Sequence, residues 1–167
     1  MSHKEHKKQA PRHLRVAIIT VSTSRSPGED DSGNWMNRQA RREGHSVVCH
    51  KVIPDEQNAI SRTATKIIEE LTPELLLING GTGISPGDVT LEAVRPLLDK
   101  EMTAFATLFA QLSFEAIDSA AMLSRACAGT IRQTAVFCLP GSTNACKLAC
   151  KALIFPEAAH IAGHLQG

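Results

Sequence analysis

Three segments of the chain combine glycine with hydroxyl side chains, and each precedes a predicted helix. Glycine lets the backbone approach a ligand closely, and the unpaired N–H groups at the start of a helix favour an anion. A phosphate group is therefore the ligand that these segments predict. They are Ser22-Thr23-Ser24-Arg25 leading to Asp31-Ser32-Gly33, then residues 80–88, and then Pro140-Gly141-Ser142-Thr143.

The second segment is the most informative, because Gly80-Gly81-Thr82-Gly83 directly follows a predicted buried strand. A simple turn needs one glycine, and three glycines leave a loop almost without side chains. No Lys-Ser or Lys-Thr pair follows, so the loop is not a P-loop. The third glycine of the dinucleotide-binding fingerprint is also missing. The pattern predicts a phosphate held by backbone amides and hydroxyl groups.

Two aspartates, Asp55 and Asp88, each follow a predicted strand and could face the same crevice. Two carboxylates beside a bound phosphate would coordinate Mg²⁺, whose remaining ligands would be phosphate oxygens and water. The alternative is that each aspartate only caps the helix that follows it. Both interpretations remain open for both residues.

Histidine and cysteine pairs near the end of the chain could suggest zinc. His160 and His164 are four residues apart, as are Cys146 and Cys150. The cysteines adjoin the inward face of a predicted helix, and the histidines fall in a segment predicted to be a loose tail. We therefore predict no zinc site. The five cysteines include no CxxC pair, which predicts free thiols in a reducing compartment.

The elements that must position these residues alternate between strand and helix patterns. Such alternation predicts an α/β fold with a mostly parallel sheet covered by helices on both faces. Ligands of these sheets bind beyond the carboxyl ends of the strands. Predicted strands cover 14–22, 45–54, 74–79 and 134–139. Predicted helices cover 32–44, the segment with Ile60, Ala64, Ile67, Ile68 and Leu71, and 90–98, 102–112 and 142–153. Residues 125–129 fit either a short strand or a loop.

Length and composition fit one ordinary globular domain. The chain has 167 residues, of which 43% are hydrophobic and 21% charged, and its net charge is +1. That balance predicts neither a nucleic acid nor a membrane as a partner. Residues 1–13 are basic and polar and are expected to be a flexible arm rather than a signal peptide, with a single domain over 14–167. The expected location is the cytoplasm.

Several motifs in the same order make the chain resemble a known family. The sequence resembles the MoaB/MogA family of molybdenum-cofactor biosynthesis proteins from about residue 15 to residue 153. Residues 112–115 and 140–146 resemble the short MoaB branch more than MogA. The motifs are Val21-Ser22, Asp31-Ser32-Gly33, Ile53-Pro54-Asp55-Glu56, residues 80–93 (GGTGISPGDVTLEA), Leu123-Ser124-Arg125 and Pro140-Gly141-Ser142.

The resemblance implies a three-layer α/β/α sandwich that forms a homotrimer or homohexamer and works with other proteins of the pathway. It implies binding of molybdopterin, and adenylylation of its terminal phosphate by Mg-ATP with release of pyrophosphate. Asp55 and Asp88 would be the catalytic residues, Asp88 would hold Mg²⁺ with Asp55 as a second candidate ligand, and Ser124 would handle the product. The implied ligand-binding residues are Ser22, Asp31, Ser32, Gly80, Gly81, Thr82, Gly83, Ser124, Pro140, Gly141 and Ser142.

Two positions depart from the family pattern. An arginine commonly stands where this chain has Gly87, and an aspartate where it has Thr23. Loss of a guanidinium beside a triphosphate removes a contact worth roughly 1.5–3 kcal/mol. Two alternatives therefore stand beside the enzyme: a non-catalytic protein that carries molybdopterin, and an unrelated phosphate-binding domain.

Overall fold

A computed structural model describes residues 13–167, so nearly all of the predicted arm at 1–13 lies outside the described residues. Six strands form one sheet in the order β2-β1-β3-β6-β5-β4. The strands are β1 (Arg15–Val21), β2 (Ser46–Ile53), β3 (Leu75–Asn79), β4 (Lys100–Glu101), β5 (Cys127–Ile131) and β6 (Thr134–Leu139).

Six α-helices connect and follow these strands. They are α1 (Asp31–Arg42), α2 (Gln57–Leu71), α3 (Thr90–Val94), α4 (Thr103–Ile117), α5 (Thr143–Ala149) and α6 (Phe155–Gln166). Single turns of 3₁₀-helix occur at Pro27–Glu29 and Arg95–Leu97, and a longer one at Asp118–Leu123. No helix among the described residues is long and apolar enough to cross a membrane.

The sheet is mostly parallel, as predicted. β1 pairs in parallel with β2 and β3, and β3 pairs in parallel with β6. β5 runs antiparallel to both β6 and β4. Every residue of β3 and β6 is buried, which explains why these strands are continuous apolar runs in the sequence.

Helices cover both faces of the sheet and produce three layers. Successive side chains of a strand point to opposite faces, so Val16 and Ile18 belong to one core and Ala17 and Ile19 to the other. The first core packs against α1, α4, α5 and α6. The second core packs against α2 and α3. The predicted α/β/α sandwich is confirmed.

The end of the chain differs from the prediction. The helix predicted over 142–153 continues through a π-helical turn, Cys150–Ile154, into α6. The segment predicted as a loose tail is therefore a helix. It is ordered because Phe155, Ala158 and Ala162 recur at helical spacing and are buried in the first core.

Residues 113–132 form the end of a helix, a 3₁₀ segment and a strand. α4 extends to Ile117, five residues beyond its predicted end, and a 3₁₀ segment follows. The strand interpretation of 125–129 is correct, because Cys127–Ile131 pairs with β6. β5 is a short strand between antiparallel neighbours.

Candidate functional site

An open cavity of about 410 Å³ lies at the edge of the sheet where β1, β3 and β6 end. This is the position at which parallel α/β sheets bind ligands. The lining residues come from loops that are far apart in the sequence. They are Val21, Ser22, Thr23, Ser24, Arg25, Asp55, Gly80, Gly81, Thr82, Gly83, Asp88, Ser124, Pro140 and Gly141.

The glycine loop and the loop after β6 touch each other. A Cβ atom placed on Gly141 would lie 3.2 Å from the Cα atom of Gly80. A Cβ atom on Gly80 would lie only 2.2 Å from the carbonyl oxygen of Val21, and Gly80 and Gly81 have φ angles of +92° and +62°. Only glycine fits this approach of three strand ends.

The glycine loop offers free backbone donors. The N–H of Gly80 donates to the carbonyl of Leu139 at 3.0 Å. Among the described residues, no acceptor is found for the N–H groups of Gly81, Thr82 and Gly83. Three consecutive donors on the cavity wall are suited to bind an anion.

Thr90, the first residue of α3, holds the base of this loop. Its hydroxyl donates to the carbonyl of Gly80 at 2.8 Å, and its N–H donates to the carbonyl of Gly81 at 2.9 Å. Thr90 is fully buried. The carbonyls of Gly80 and Gly81 are thus satisfied within the protein.

Asp55 is held on one side only. Its Oδ2 atom accepts hydrogen bonds from the N–H and the hydroxyl of Thr23, at 2.7 and 2.8 Å. Its Oδ1 atom lies toward the glycine loop, 3.2 Å from where a Cβ of Gly81 would be. The helix α2 begins at Gln57, and its N-cap is Glu56. The interpretation of Asp55 as a helix cap is therefore wrong.

Asp88 is held in a similar way. Its Oδ2 atom accepts from the N–H of Ser85 at 2.8 Å, and its own N–H donates to the carbonyl of Ser85. The N-cap of α3 is Val89, so Asp88 does not cap that helix either. Its Oδ2 atom approaches the glycine loop, 2.7 Å from where a Cβ of Gly83 would be.

The two carboxylates are half-buried, and the Oδ1 atom of each has no hydrogen-bond partner among the described residues. Carboxylate oxygens are the protein ligands that Mg²⁺ prefers, and it usually takes one or two of them together with substrate phosphates. Within residues 13–167 there is no group of three or more His, Cys, Asp or Glu side chains that could hold a metal alone. The donor set fits a Mg²⁺ ion that arrives with a phosphate.

Arg25 brings a positive charge to the cavity, and the list of predicted binding residues does not include it. Its Nη1 atom donates to the carbonyl of Gly141 at 3.3 Å, and its N–H donates to the hydroxyl of Ser22 at 3.2 Å. Arg25 is the only basic residue that lines the cavity within the described part of the chain. Arg25, Thr23 and Ser24 belong to the first of the three segments predicted to bind a phosphate, although the family resemblance did not imply them as ligand-binding residues.

Three predicted binding residues do not line this cavity. Asp31 is exposed at the start of α1. Ser32 is buried and donates to the carbonyl of Gly141 at 2.8 Å. Ser142 is the N-cap of α5, where its hydroxyl accepts from the N–H of Ala145. Ser32 supports the loop after β6 from behind, whereas Ser142 is exposed and lines an adjoining hollow. The contact of both residues with a ligand remains a prediction.

The helix α1 is capped by Asp30 and begins at Asp31, one residue before the predicted start at residue 32. The Oδ1 atom of Asp30 accepts from the N–H of Gly33 at 2.9 Å, and its Oδ2 atom accepts from Thr20 at 2.7 Å and from His50 at 2.8 Å. Burial alone would raise the pKa of Asp30, but the hydrogen bonds from His50, Thr20 and Gly33 outweigh it and lower the pKa below its ordinary value. This buried network joins β1, β2 and α1 beneath the site.

A second hollow of about 390 Å³ adjoins the first and shares Ser124 and Pro140 with it. Its walls are mainly apolar and come from α4 and α5. Lys147 and Lys151 also line it. The lining residues are Phe109, Ser113, Ala116, Ile117, Ser124, Pro140, Ser142, Asn144, Ala145, Lys147, Leu148, Lys151 and Ala152.

The histidine and cysteine pairs do not meet. His160 and His164 lie on α6 with their Nε2 atoms 3.0 Å apart, and His160 also contacts Glu157. Cys146 and Cys150 are buried in the first core, where burial raises the pKa of Cys146 to about 12 and that of Cys150 further. The five cysteines are free thiols.

Comparisons with known proteins agree with this geometry. A family model described as "Probable molybdopterin binding domain" matches residues 17–160. A Bacillus subtilis protein named "Molybdenum cofactor biosynthesis protein B" is 42% identical over 167 residues, which cover 99% of this chain and 98% of that protein. A Methanocaldococcus jannaschii protein named "Probable molybdopterin adenylyltransferase" is 35% identical over 162 residues, 93% of this chain and 96% of that protein.

Solved structures show the same fold. A crystal structure of a molybdenum cofactor biosynthesis protein B has a TM-score of 0.91 and 41% identity, and the match covers 95% of this chain and 99% of that chain. The tungsten cofactor synthesizing protein MoaB from Pyrococcus furiosus has a TM-score of 0.83 and 33% identity, with 95% and 100% covered.

Proposed function

The chain belongs to the MoaB/MogA family of molybdopterin-binding domains, and we propose that it transfers the adenylyl group of ATP to the terminal phosphate of molybdopterin. This reaction would place it in the biosynthesis of the molybdenum cofactor. The observation that carries the proposal is the cavity itself. Its lining combines residues 81–83, whose amides have no acceptor among the described residues, with Asp55 and Asp88, each of which has one carboxylate oxygen without a hydrogen-bond partner.

The reaction balances without a protein base. A terminal phosphate oxygen of molybdopterin attacks the α-phosphorus of ATP, a new P–O bond forms, and the bond from the α-phosphorus to the bridging oxygen breaks. The electron pair leaves with pyrophosphate. Because the attacking phosphate is already an anion, the barrier falls mainly through positioning and neutralisation of charge.

The residues of the cavity can supply both the positioning and the neutralisation of charge. The amides of Gly81, Thr82 and Gly83 would bind phosphate oxygens, and the guanidinium of Arg25 would neutralise part of their charge. Asp88, with Asp55, would hold Mg²⁺. When bound, Mg²⁺ would neutralise charge on the phosphates.

The apolar hollow next to the cavity suits a flat heteroaromatic ring, which molybdopterin and ATP both carry. Its two shared residues, Ser124 and Pro140, allow one ligand to extend from the apolar hollow into the polar cavity. Ser124 would then lie at the junction between ring and phosphate. This placement supports the predicted role of Ser124 in handling the product.

A non-catalytic carrier of molybdopterin is the second candidate. The observation in its favour is Gly87, where a side chain would meet nothing within 4 Å. The position where related chains commonly have an arginine therefore adds no charge to the loop. A carrier would bind the pterin without consuming ATP.

The test is a direct assay. Purified protein is incubated with molybdopterin, MgCl₂ and ATP labelled at the α-phosphate, and adenylylated pterin and pyrophosphate are quantified. If the protein is an adenylyltransferase, equal amounts of adenylylated pterin and pyrophosphate should form. Neither product should form when molybdopterin is omitted. Binding of pterin without pyrophosphate release would support the carrier. Absence of pterin binding would contradict both.

We also propose that the protein acts as a homotrimer or homohexamer in the cytoplasm, together with other proteins of the pathway. Large apolar side chains exposed on α4 and the following 3₁₀ segment support an assembly. Light scattering after size-exclusion chromatography should give three or six times the chain mass of 18.0 kDa. The exposed side chains are Leu108, Phe114, Ile117, Met122 and Leu123.

A further inference from the structure

Arg125 lies outside the cavity and contacts the glycine loop from behind. Its Nε atom donates to the carbonyls of Thr82 and Gly83, at 3.2 and 2.9 Å. Its Nη2 atom donates to the carbonyl of Asp88 at 3.0 Å, and its own N–H donates to the carbonyl of Thr82 at 3.2 Å. One side chain therefore joins both ends of the segment 82–88.

These contacts determine where the loop amides point. In a trans peptide unit the C=O and the following N–H point in opposite directions. Because Arg125 binds the carbonyls of Thr82 and Gly83, the N–H groups of Gly83 and Ile84 point away from Arg125. The N–H of Gly83, which has no acceptor among the described residues, is thus turned to the opposite side of the loop.

Glu92 holds the guanidinium in this orientation. Its two carboxylate oxygens accept from Nη1 at 2.5 Å and from Nη2 at 3.3 Å, a bidentate pair. This hydrogen bond lowers the pKa of Glu92 and raises that of Arg125. The guanidinium and the carboxylate therefore each stabilise the charged form of the other.

Arg125 also reaches the site because of strand direction. β5 is antiparallel to β6, so the residues just before β5 lie at the edge where β6 ends. Ser124 lines the cavity, and Arg125 follows it in the sequence. The bond from the N–H of Arg125 to Thr82 thus fixes Ser124 beside the glycine loop.

We propose that Arg125, oriented by Glu92, is a positioning residue that turns the Gly83 amide of the glycine loop toward the anionic ligand, beside the Gly81 and Thr82 amides that Thr90 holds. The value of this for catalysis rests on the proposed function. The orientation of the loop does not depend on the proposed function, because it is a property of the ligand-free protein. A guanidinium is required because it presents several donors in one plane, whereas a lysine ammonium is a single point.

A matched control exists in Arg132. It forms an ion pair with Glu69 at 2.9 Å, and both side chains are largely exposed. No hydrogen bond from its side chain to a backbone carbonyl is found in residues 13–167. Substituting Arg132 by Gln removes the same charge and an Arg–Glu ion pair without touching the loop.

The experiment compares Arg125→Gln, Arg125→Lys, Glu92→Gln and Arg132→Gln with the unmodified protein. The first readout is NMR of the ligand-free proteins, in which the backbone N–H order parameters of residues 81–88, Pro86 excepted, should fall from about 0.85 to below 0.6 in Arg125→Gln. The second is calorimetric binding of inorganic pyrophosphate, which should weaken about tenfold or more. Arg125→Lys and Glu92→Gln should give intermediate effects, and Arg132→Gln none.

The outcomes separate the two proposals. The positioning role would be overturned if Arg125→Gln kept the order parameters of the unmodified protein and bound pyrophosphate with an affinity within twofold of it. A loosened loop in a protein that never releases pyrophosphate would support positioning and contradict the adenylyltransferase. If the unmodified protein binds no pyrophosphate, the order parameters alone decide. If Arg125→Gln does not fold, Glu92→Gln decides by the same two readouts.

Discussion

The carboxylate of Asp55 accepts two hydrogen bonds from a single residue, Thr23, through its N–H at 2.7 Å and its hydroxyl at 2.8 Å. Both bonds use Oδ2, so the other oxygen stays directed at the glycine loop. The two residues come from loops after adjacent parallel strands, β1 and β2. Thr23 thus fixes the rotation of a proposed catalytic carboxylate.

Removal of the Thr23 hydroxyl should weaken catalysis without unfolding the protein. Thr23→Val keeps the shape and the N–H bond but loses the hydroxyl bond, which costs about 1.5 kcal/mol when the acceptor is charged. We expect kcat/KM of adenylyl transfer to fall about tenfold, and Thr23→Ser to retain most of the activity. Steady-state assays check this, and equal losses in both variants would contradict it.

Neutralising either aspartate should abolish turnover. Asp88→Asn and Asp55→Asn remove the charge that would hold Mg²⁺ beside the phosphates, so pyrophosphate release should fall at least a hundredfold while pterin binding stays within about threefold. Glu56→Gln is the matched control, because Glu56 is exposed and does not line the cavity. Parallel loss of binding and turnover in Asp88→Asn would show that Asp88 shapes the pocket instead.

Two glycines of the same loop should differ in how much stability they lose on substitution by alanine. Gly81 has a φ of +62°, and a Cβ atom at this position would lie 2.5 Å from the Thr90 hydroxyl. Gly81→Ala should therefore lower the free energy of unfolding by about 1–3 kcal/mol. A Cβ atom on Gly87 would meet nothing within 4 Å. The free energy of unfolding of Gly87→Ala should therefore stay within about 1 kcal/mol of that of the unmodified protein. Urea unfolding measures both. Similar losses in the two variants would be inconsistent with this geometry.

Acid should weaken the fold through Asp30. The pKa of Asp30 is lowered below 3.8 in the folded protein, because its hydrogen bonds outweigh the effect of burial. A lowered pKa means that its contribution to stability is complete only above about pH 5, beyond the ordinary pKa of an aspartate, and is lost as the pH falls through the folded value. Asp30→Asn should be less stable at pH 7 by about 1–3 kcal/mol, and the difference should narrow in acid. Thermal unfolding between pH 2.5 and 7 tests this, and a constant difference would contradict it.

Four of the five cysteines should resist alkylation in the folded protein. Cys127, Cys138, Cys146 and Cys150 are buried, and burial raises the pKa of Cys146 to about 12. Cys49 is only partly buried and should react first, although burial also raises its pKa. Mass spectrometry after iodoacetamide treatment at pH 8 should show one modification, and five in urea. Rapid labelling of Cys146 would indicate that the loop after β6 opens.

Much of the site follows from sequence pattern. Buried parallel strands appear as continuous apolar runs, and their carboxyl ends share an edge, so Asp55, Asp88 and the glycine loop could be placed together before any coordinates. The capping alternative could not be excluded in advance. It depends on hydrogen bonds of single oxygen atoms, which residue type does not reveal.

The contribution of Arg125 could not be predicted. Residues 125–129 fit either a strand or a loop, and nothing in the sequence shows that β5 runs antiparallel. The side chain of Arg125 binds mainly backbone carbonyls, and a carbonyl is present at every position. Such contacts leave no pattern of residue types.

The helix α6 was predictable but missed. The spacing of Phe155, Ala158 and Ala162 is that of a buried helical face. Pro156 favours a break, because it lacks an N–H and normally ends a helix. Here the proline lies in the first turn of a new helix, directly after the π-helical turn.

The place of β6 in the sheet has a consequence for synthesis of the chain on the ribosome. β6 is the last strand to be made, yet it lies between β3 and β5. Until residue 139 has emerged, β3 has an open edge of apolar residues, and β5 and β4 have no strand that joins them to the rest. A nascent chain can therefore collapse early but cannot complete its sheet, and it would benefit from a chaperone during that interval.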